Sequence, residues 1–146
     1  MSLFNLFKKH NHPSLNEVDE LNLFENDLQN DIFLAEVEKL NDINKKFQKG
    51  FNLLHFACEY DCKKLANKLI ERNINIEERN IFGNTPLWIA VFNSKGNYDL
   101  VDLLLFHNAD PNSINKAGNS PLKFAETIGD EILIQKLKNA TTTNRR

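Results

Sequence analysis

The 146-residue chain is predicted to fold as an all-α solenoid of helix–turn–helix units joined by β-hairpin loops. Three observations predict it. Gly50, Gly83 and Gly118 recur at spacings of 33 and 35 residues. Each opens a related phrase, GFNLLHFACEYD, GNTPLWIAVFNSKG or GNSPLKFAETIG, in which Leu54, Leu87 and Leu122 keep phase, as do Ala57, Ala90 and Ala125. Each phrase runs into a second apolar stretch, KKLANKLIERNINI, YDLVDLLLFHNADP or EILIQKLKNA. A repeat of this length marks stacked supersecondary units, none of which buries its apolar face alone.

The elements follow in chain order. Residues 1–12 read as a mobile arm, with Leu3, Phe4, Leu6 and Phe7 ahead of Lys8 and Lys9. Ser14 and Glu17 after Pro13 stand at capping-box spacing and open a helix through Val18, Leu21 and Leu28. From Pro13 to Glu38 there are eight acidic residues and no basic one, which fits the solvated face of a capping helix or an acidic surface for a basic partner. LAEVEKLNDIN reads as the second helix of a degenerate first unit, since Asn44 precedes Gly50 by six residues, as Asn112 precedes Gly118. The single domain, 13–140, then divides into 13–49, a repeat at 50–82, a repeat at 83–117 with two extra residues near Asn93-Ser94-Lys95, and a truncated cap at 118–140; residues 141–146 are a tail.

Within a unit, Thr85 or Ser120 is placed to cap the first helix, with Pro86 or Pro121 in its first turn, where a missing N–H costs nothing. Asp61, Gly96 and Gly129 turn the chain into the second helix, which carries Leu65, Leu69 and Ile70 or Leu100, Val101 and Leu103–Leu105. Asn73 and Asn108 end it, because Asn tolerates the left-handed conformation a helix stop requires.

From Gly50 to about Asn139 the pattern resembles the ankyrin repeat: the period, the Gly-x-Thr-Pro-Leu opening at Gly83–Leu87, Ala three residues after the Leu, and the Ala109-Asp110-Pro111-Asn112 ending. The Thr-Pro-Leu-His tetrapeptide of that family, whose Thr and His brace neighbouring repeats, is nowhere complete. Asn52-Leu53-Leu54-His55 keeps the His, Thr85-Pro86-Leu87-Trp88 keeps the Thr, and Ser120-Pro121-Leu122-Lys123 keeps neither. Weaker bracing between repeats is the expectation.

Composition narrows the function. A formal charge of −2 lacks the basic excess of nucleic-acid binders, and no apolar run is long enough to span a membrane. Two cysteines, Cys58 and Cys62, one helical turn apart, read as reduced thiols in a cytosol. There is no G-x-S-x-G, phosphate-binding loop, H-E-x-x-H or C-x-x-C, so no catalysis and no cofactor is expected. His10 with His12, and His55 with Cys58 and Cys62, have metal-ligand chemistry. A packing role for His55 and a small buried site for Cys58 outweigh it, so no metal is expected.

The resemblance implies a protein partner, met by hairpin tips and first-helix faces on a concave side. Carried over, these are Gln48, Lys49 and Phe51; Glu59 and Tyr60; Ile81, Phe82 and Asn84; Trp88, Phe92 and Asn93; and Lys116, with Ala117, Asn119, Thr127 and Ile128 beyond. Phe51, Tyr60, Ile81, Phe82 and Phe92 are apolar where such repeats are often polar; they anchor a partner, pack on neighbouring hairpins or lie under the amino-terminal segment. The expected function is binding and masking one partner as a cytoplasmic monomer, in the manner of an inhibitor. Small ankyrin proteins of AT-rich bacteria can serve as toxin-immunity proteins, and the chain is compatible with that role. The alternative is an adaptor that reaches a membrane through Leu3–Lys9.

Asn is the commonest residue, 22 against 20 Leu, by codon bias or as a disordered tract. Its placement at helix stops and hairpins (Asn41, Asn44, Asn73, Asn75, Asn80, Asn108, Asn112, Asn115) assigns much of it to turns instead.

Overall fold

The computed structural model describes residues 31–143. The 1–12 arm with Leu3–Lys9, His10 and His12, and the helix start at Ser14–Glu17, lie outside the described residues. Seven α-helices are present among the described residues, with no strand: α1 Asp31–Glu38, α2 Leu53–Glu59, α3 Lys63–Glu71, α4 Pro86–Asn93, α5 Asp99–Phe106, α6 Pro121–Ile128 and α7 Glu131–Thr143. Helices of seven to nine residues such as α2–α6 are not stable alone in water, so stacking must hold them. The first helices α2, α4 and α6 form one layer, the second helices α1, α3, α5 and α7 the other. First helices pack more closely on one another than second helices do.

Each first helix starts on a side-chain cap. Asn52 Oδ1 accepts from His55 N, Thr85 Oγ1 from Trp88 N at 3.3 Å and Ser120 Oγ from Lys123 N at 3.1 Å, with Pro86 and Pro121 opening their helices. Both kinds of helix end alike. Asp61, Asn73, Asn108 and Gly129 are left-handed, and the next residue's N–H returns to a carbonyl five residues back: Cys62 to Ala57, Ile74 to Leu69, Ala109 to Leu104 and Asp130 to Ala125. That bond satisfies a carbonyl the helix would otherwise orphan. In the second repeat residues 94–98 link the helices, against 60–62 in the first. There Lys95 and Gly96 are left-handed, and Ser94, buried, donates its hydroxyl to the Val91 carbonyl.

The core runs between the layers through Val37, Leu54, Ala57, Leu65, Leu69, Leu87, Val101, Leu104, Ala125, Leu133 and Leu137. Arg72 ties α1 to the stack, its guanidinium donating to the carbonyls of Val37 and Leu40. Ion pairs cross the outer layer from unit to unit, Lys68 with Glu38, Lys63 with Asp99 and Lys136 with Asp102, and the Tyr98 hydroxyl bonds Asp130.

The hairpins are tight and only one pairing long. Phe47 N donates to Phe51 O, Asn80 N to Asn84 O and Asn115 N to Asn119 O. Asn80 and Asn115 further shape their turns by accepting two backbone N–H groups each on the side-chain oxygen. Successive hairpins are joined by single bonds, Ile81 N to Lys49 O and Lys116 N to Phe82 O, both 3.0 Å. Gly83 makes the second joint close: at φ +76° it has no side chain, and a Cβ there would lie 3.0 Å from Lys116 N.

The expected weakness of bracing is corrected for the first repeat. Asn52 does the work of the missing Thr, forming a capping box with His55 and donating its amide to Asn75 O. His55 Nδ1 accepts from Asn52 N, so Nε2 carries the proton and donates to Asn84 O of the next repeat at 3.0 Å. Trp88, at the same position one repeat on, makes no such bond; its indole N–H is shielded from solvent and has no partner among the described residues.

Candidate protein-binding face

Of the residues singled out from sequence, most line one side of the stack. Gln48 and Lys49 are exposed at the first hairpin tip, and Lys116 at the third. Ile81 and Phe82, at the second tip, keep about half of their surface in solvent, 52% and 51%. On the first helices, Glu59 is exposed and Tyr60 half-buried on α2, while Trp88 and Asn93 are half-buried and Phe92 is 52% exposed on α4.

Two of the set are not surface groups. Phe51 is only 8% exposed, because its ring packs at 5.1 Å on His55 and at 5.2 Å on Phe56. The hairpin returns it into the core instead of presenting it. Asn84 is buried as well: its carbonyl takes the His55 proton and its side-chain oxygen takes the Asn115 amide at 2.7 Å. Its work is joining three units.

Phe124 is the residue the sequence reading passed over. It stands in phase with Phe56 and Ile89, both buried, and so looks like core. In the structure it is half-buried and closes an aromatic cluster. Trp88 stacks on Phe92 at 5.2 Å and 14°, and Phe124 touches both, at 5.8 Å and 5.4 Å. Ring pairs at these separations gain beyond the area they bury, so α4 and α6 are locked across this face. Trp88 where the family has His was the available clue, since an indole there must reach the next helix.

Beside the cluster lies an open groove of about 490 Å³ between the second and third hairpins. Ile81, Phe82, Trp88 and Ala117 give it an apolar floor, with Asn84, Asn115 and Asn119 along it and Lys116 as its one charge. Nothing here has the arrangement of a nucleophile with a base.

A family model of ankyrin repeats, in three copies, matches residues 22–115. The chain belongs to the ankyrin-repeat family. Over 77 residues, 53% of the chain, it is 40% identical to the ankyrin repeat domain-containing protein 13C-B of Xenopus laevis. It is 38% identical over 74 residues to the putative ankyrin repeat protein FPV034 of fowlpox virus, and 34% identical over 85 residues to the putative ankyrin repeat protein YahD of Escherichia coli. These matches take in 14%, 17% and 42% of the relatives' lengths.

Ankyrin repeats are protein-interaction modules, and the strip of Ile81, Phe82, Trp88, Phe92 and Phe124 lies on hairpin tip and first-helix faces. At its first-repeat end burial pushes the Glu59 carboxyl up, with Lys49 opposing, and burial raises the Tyr60 phenol. The ligand-like trio of the first ankyrin repeat is a packing set. Both His55 nitrogens are bonded within the fold, and burial raises the Cys58 and Cys62 thiols, against the thiolate a metal needs. No group of three His, Cys, Asp or Glu side chains with metal-holding geometry occurs among the described residues. No helix among them is long and apolar enough to cross a membrane.

Proposed function

We propose that the ankyrin stack binds one partner protein on its concave face, along the strip from Ile81 and Phe82 through Trp88 and Phe92 to Phe124, and masks the surface it covers. The observation that carries this is the set of half-exposed apolar side chains at the second hairpin tip and on α4, those on α4 held by ring packing with Phe124. Rigid aromatic anchors lose little entropy on binding, which is why such groups dominate interface energetics. Gln48, Lys49, Glu59, Tyr60, Asn93 and Lys116 form the polar surround. Covering a partner's surface is the act of an inhibitor, and neutralising a toxin is one form of it. The buried thiols of Cys58 and Cys62, which form no disulfide, suit a reducing cytoplasm.

The test is single substitution of Tyr60, Phe82 and Phe92 by Ala, with partner affinity measured by calorimetry on the protein that co-purifies from native cells. At least one is expected to cost about 2 kcal/mol or more, the scale of an interface hot spot. Undiminished affinity in all three, with the helical spectrum retained, sinks the proposal.

A further inference from the structure

We infer that the groove between the second and third hairpins takes an acidic segment of the partner, which lays an apolar side chain on Phe82 and Trp88 and sets a carboxylate on Lys116. This rests on the concave-face reading and adds the chemistry of the occupant. The groove is apolar but for its amides and Lys116, and no acidic residue lines it. Lys116 forms none of the ion pairs among the described residues, although Lys39, Lys46, Lys63, Lys64, Lys68, Lys136 and Lys138 all do. Its backbone N–H is held by Phe82 O, and its stem runs beside Gly83, where the missing side chain leaves it room.

Lys123, in phase with Trp88, is likewise outside the ion pairs among the described residues, and its amine donates to the Gly118 carbonyl. Among nearby acids, Glu126 pairs with Lys138, and Glu59 sits at the far, first-repeat end beside Lys49. An acidic chain therefore meets Lys116 and Lys123, neither in an ion pair, around an apolar floor, whereas a basic chain meets repulsion. Complementary charge selects partners and speeds their encounter even where it adds modest affinity.

The experiment selects a displayed library of random peptides on the immobilised full chain. Synthetic copies of the winners are then titrated by the fluorescence of Trp88, the chain's one tryptophan. Winners are expected to carry Asp or Glu around one aromatic or aliphatic residue. Lys116→Glu is expected to weaken them roughly tenfold, and Phe82→Ala as much, while Lys95→Glu, on the α4–α5 turn, changes nothing. Winners that lose affinity in Phe82→Ala but show no acidic bias, or ignore Lys116→Glu, overturn the acidic occupant and leave the concave face standing. Winners indifferent to changes at both Phe82 and Phe92 overturn both. Recovery of no winner on a folded chain counts against the groove as a peptide site.

Discussion

His55 bridges two repeats through Nε2, which donates to Asn84 O, while Nδ1 accepts from Asn52 N of its own repeat, a bond that only the neutral ring makes. Burial keeps its pKa below the ordinary 6.5. The native state therefore takes up this proton at lower pH than the unfolded chain does. The stability His55 provides is complete above 6.5 and is lost as pH falls through the lowered native value. Urea unfolding of the wild type and His55→Gln at several pH values checks this: the gap between them should narrow as pH falls. A gap that widens contradicts it. Two phenylalanines show the same dependence on context. Phe51→Ala empties a core site and should cost about 3 kcal/mol of stability, whereas half-exposed Phe82→Ala should cost less than about 1, both read from urea midpoints. From sequence the two looked equivalent, each next to a repeat glycine. What separates them is which ring the hairpin folds over, and that is set by contacts with His55 and Phe56.

At the scale of the element, caps and stops were the legible part. Ser120, Thr85, Pro86, Pro121, Asn73 and Asn108 act through bonds to their own neighbours, so their chemistry is written locally. Bracing between units was less legible, because Asn52 replaces a Thr by satisfying the same groups with a different side chain. The aromatic cluster was half legible: Trp88 and Phe92 stood out, but Phe124 shares the phase of core residues and differs only in what packs on it. Glycines separate by neighbourhood too. Gly83 and Gly118 have nearly the same dihedral, φ +76° and +75°, yet a Cβ meets Lys116 N at the first and nothing within 4 Å at the second. Gly118→Ala should cost about 1 kcal/mol, the left-handed penalty alone, and Gly83→Ala clearly more, because a hairpin joint must also open. Equal losses in chemical denaturation would show that the joint contributes nothing.

Among the described residues, the main contacts of each unit are with its neighbours, so the stack is a sum of local folds and the interfaces between them. The two faces of that sum differ. The outer layer carries ion pairs between units, with Phe106 exposed at the end of α5, and the inner face gathers Trp88, Phe92 and Phe124 into one cluster beside Lys116 and Lys123. The claim that the inner face is where the ankyrin stack meets its partner is tested most directly by position-specific crosslinking in native cells. A photoreactive phenylalanine analogue replaces Phe82 or Phe92, or exposed Asn67 on α3 of the outer layer. Positions 82 and 92 should both form an adduct with the same protein, and position 67 none; an adduct from 67 alone, or equal adducts from all three, would contradict the claim.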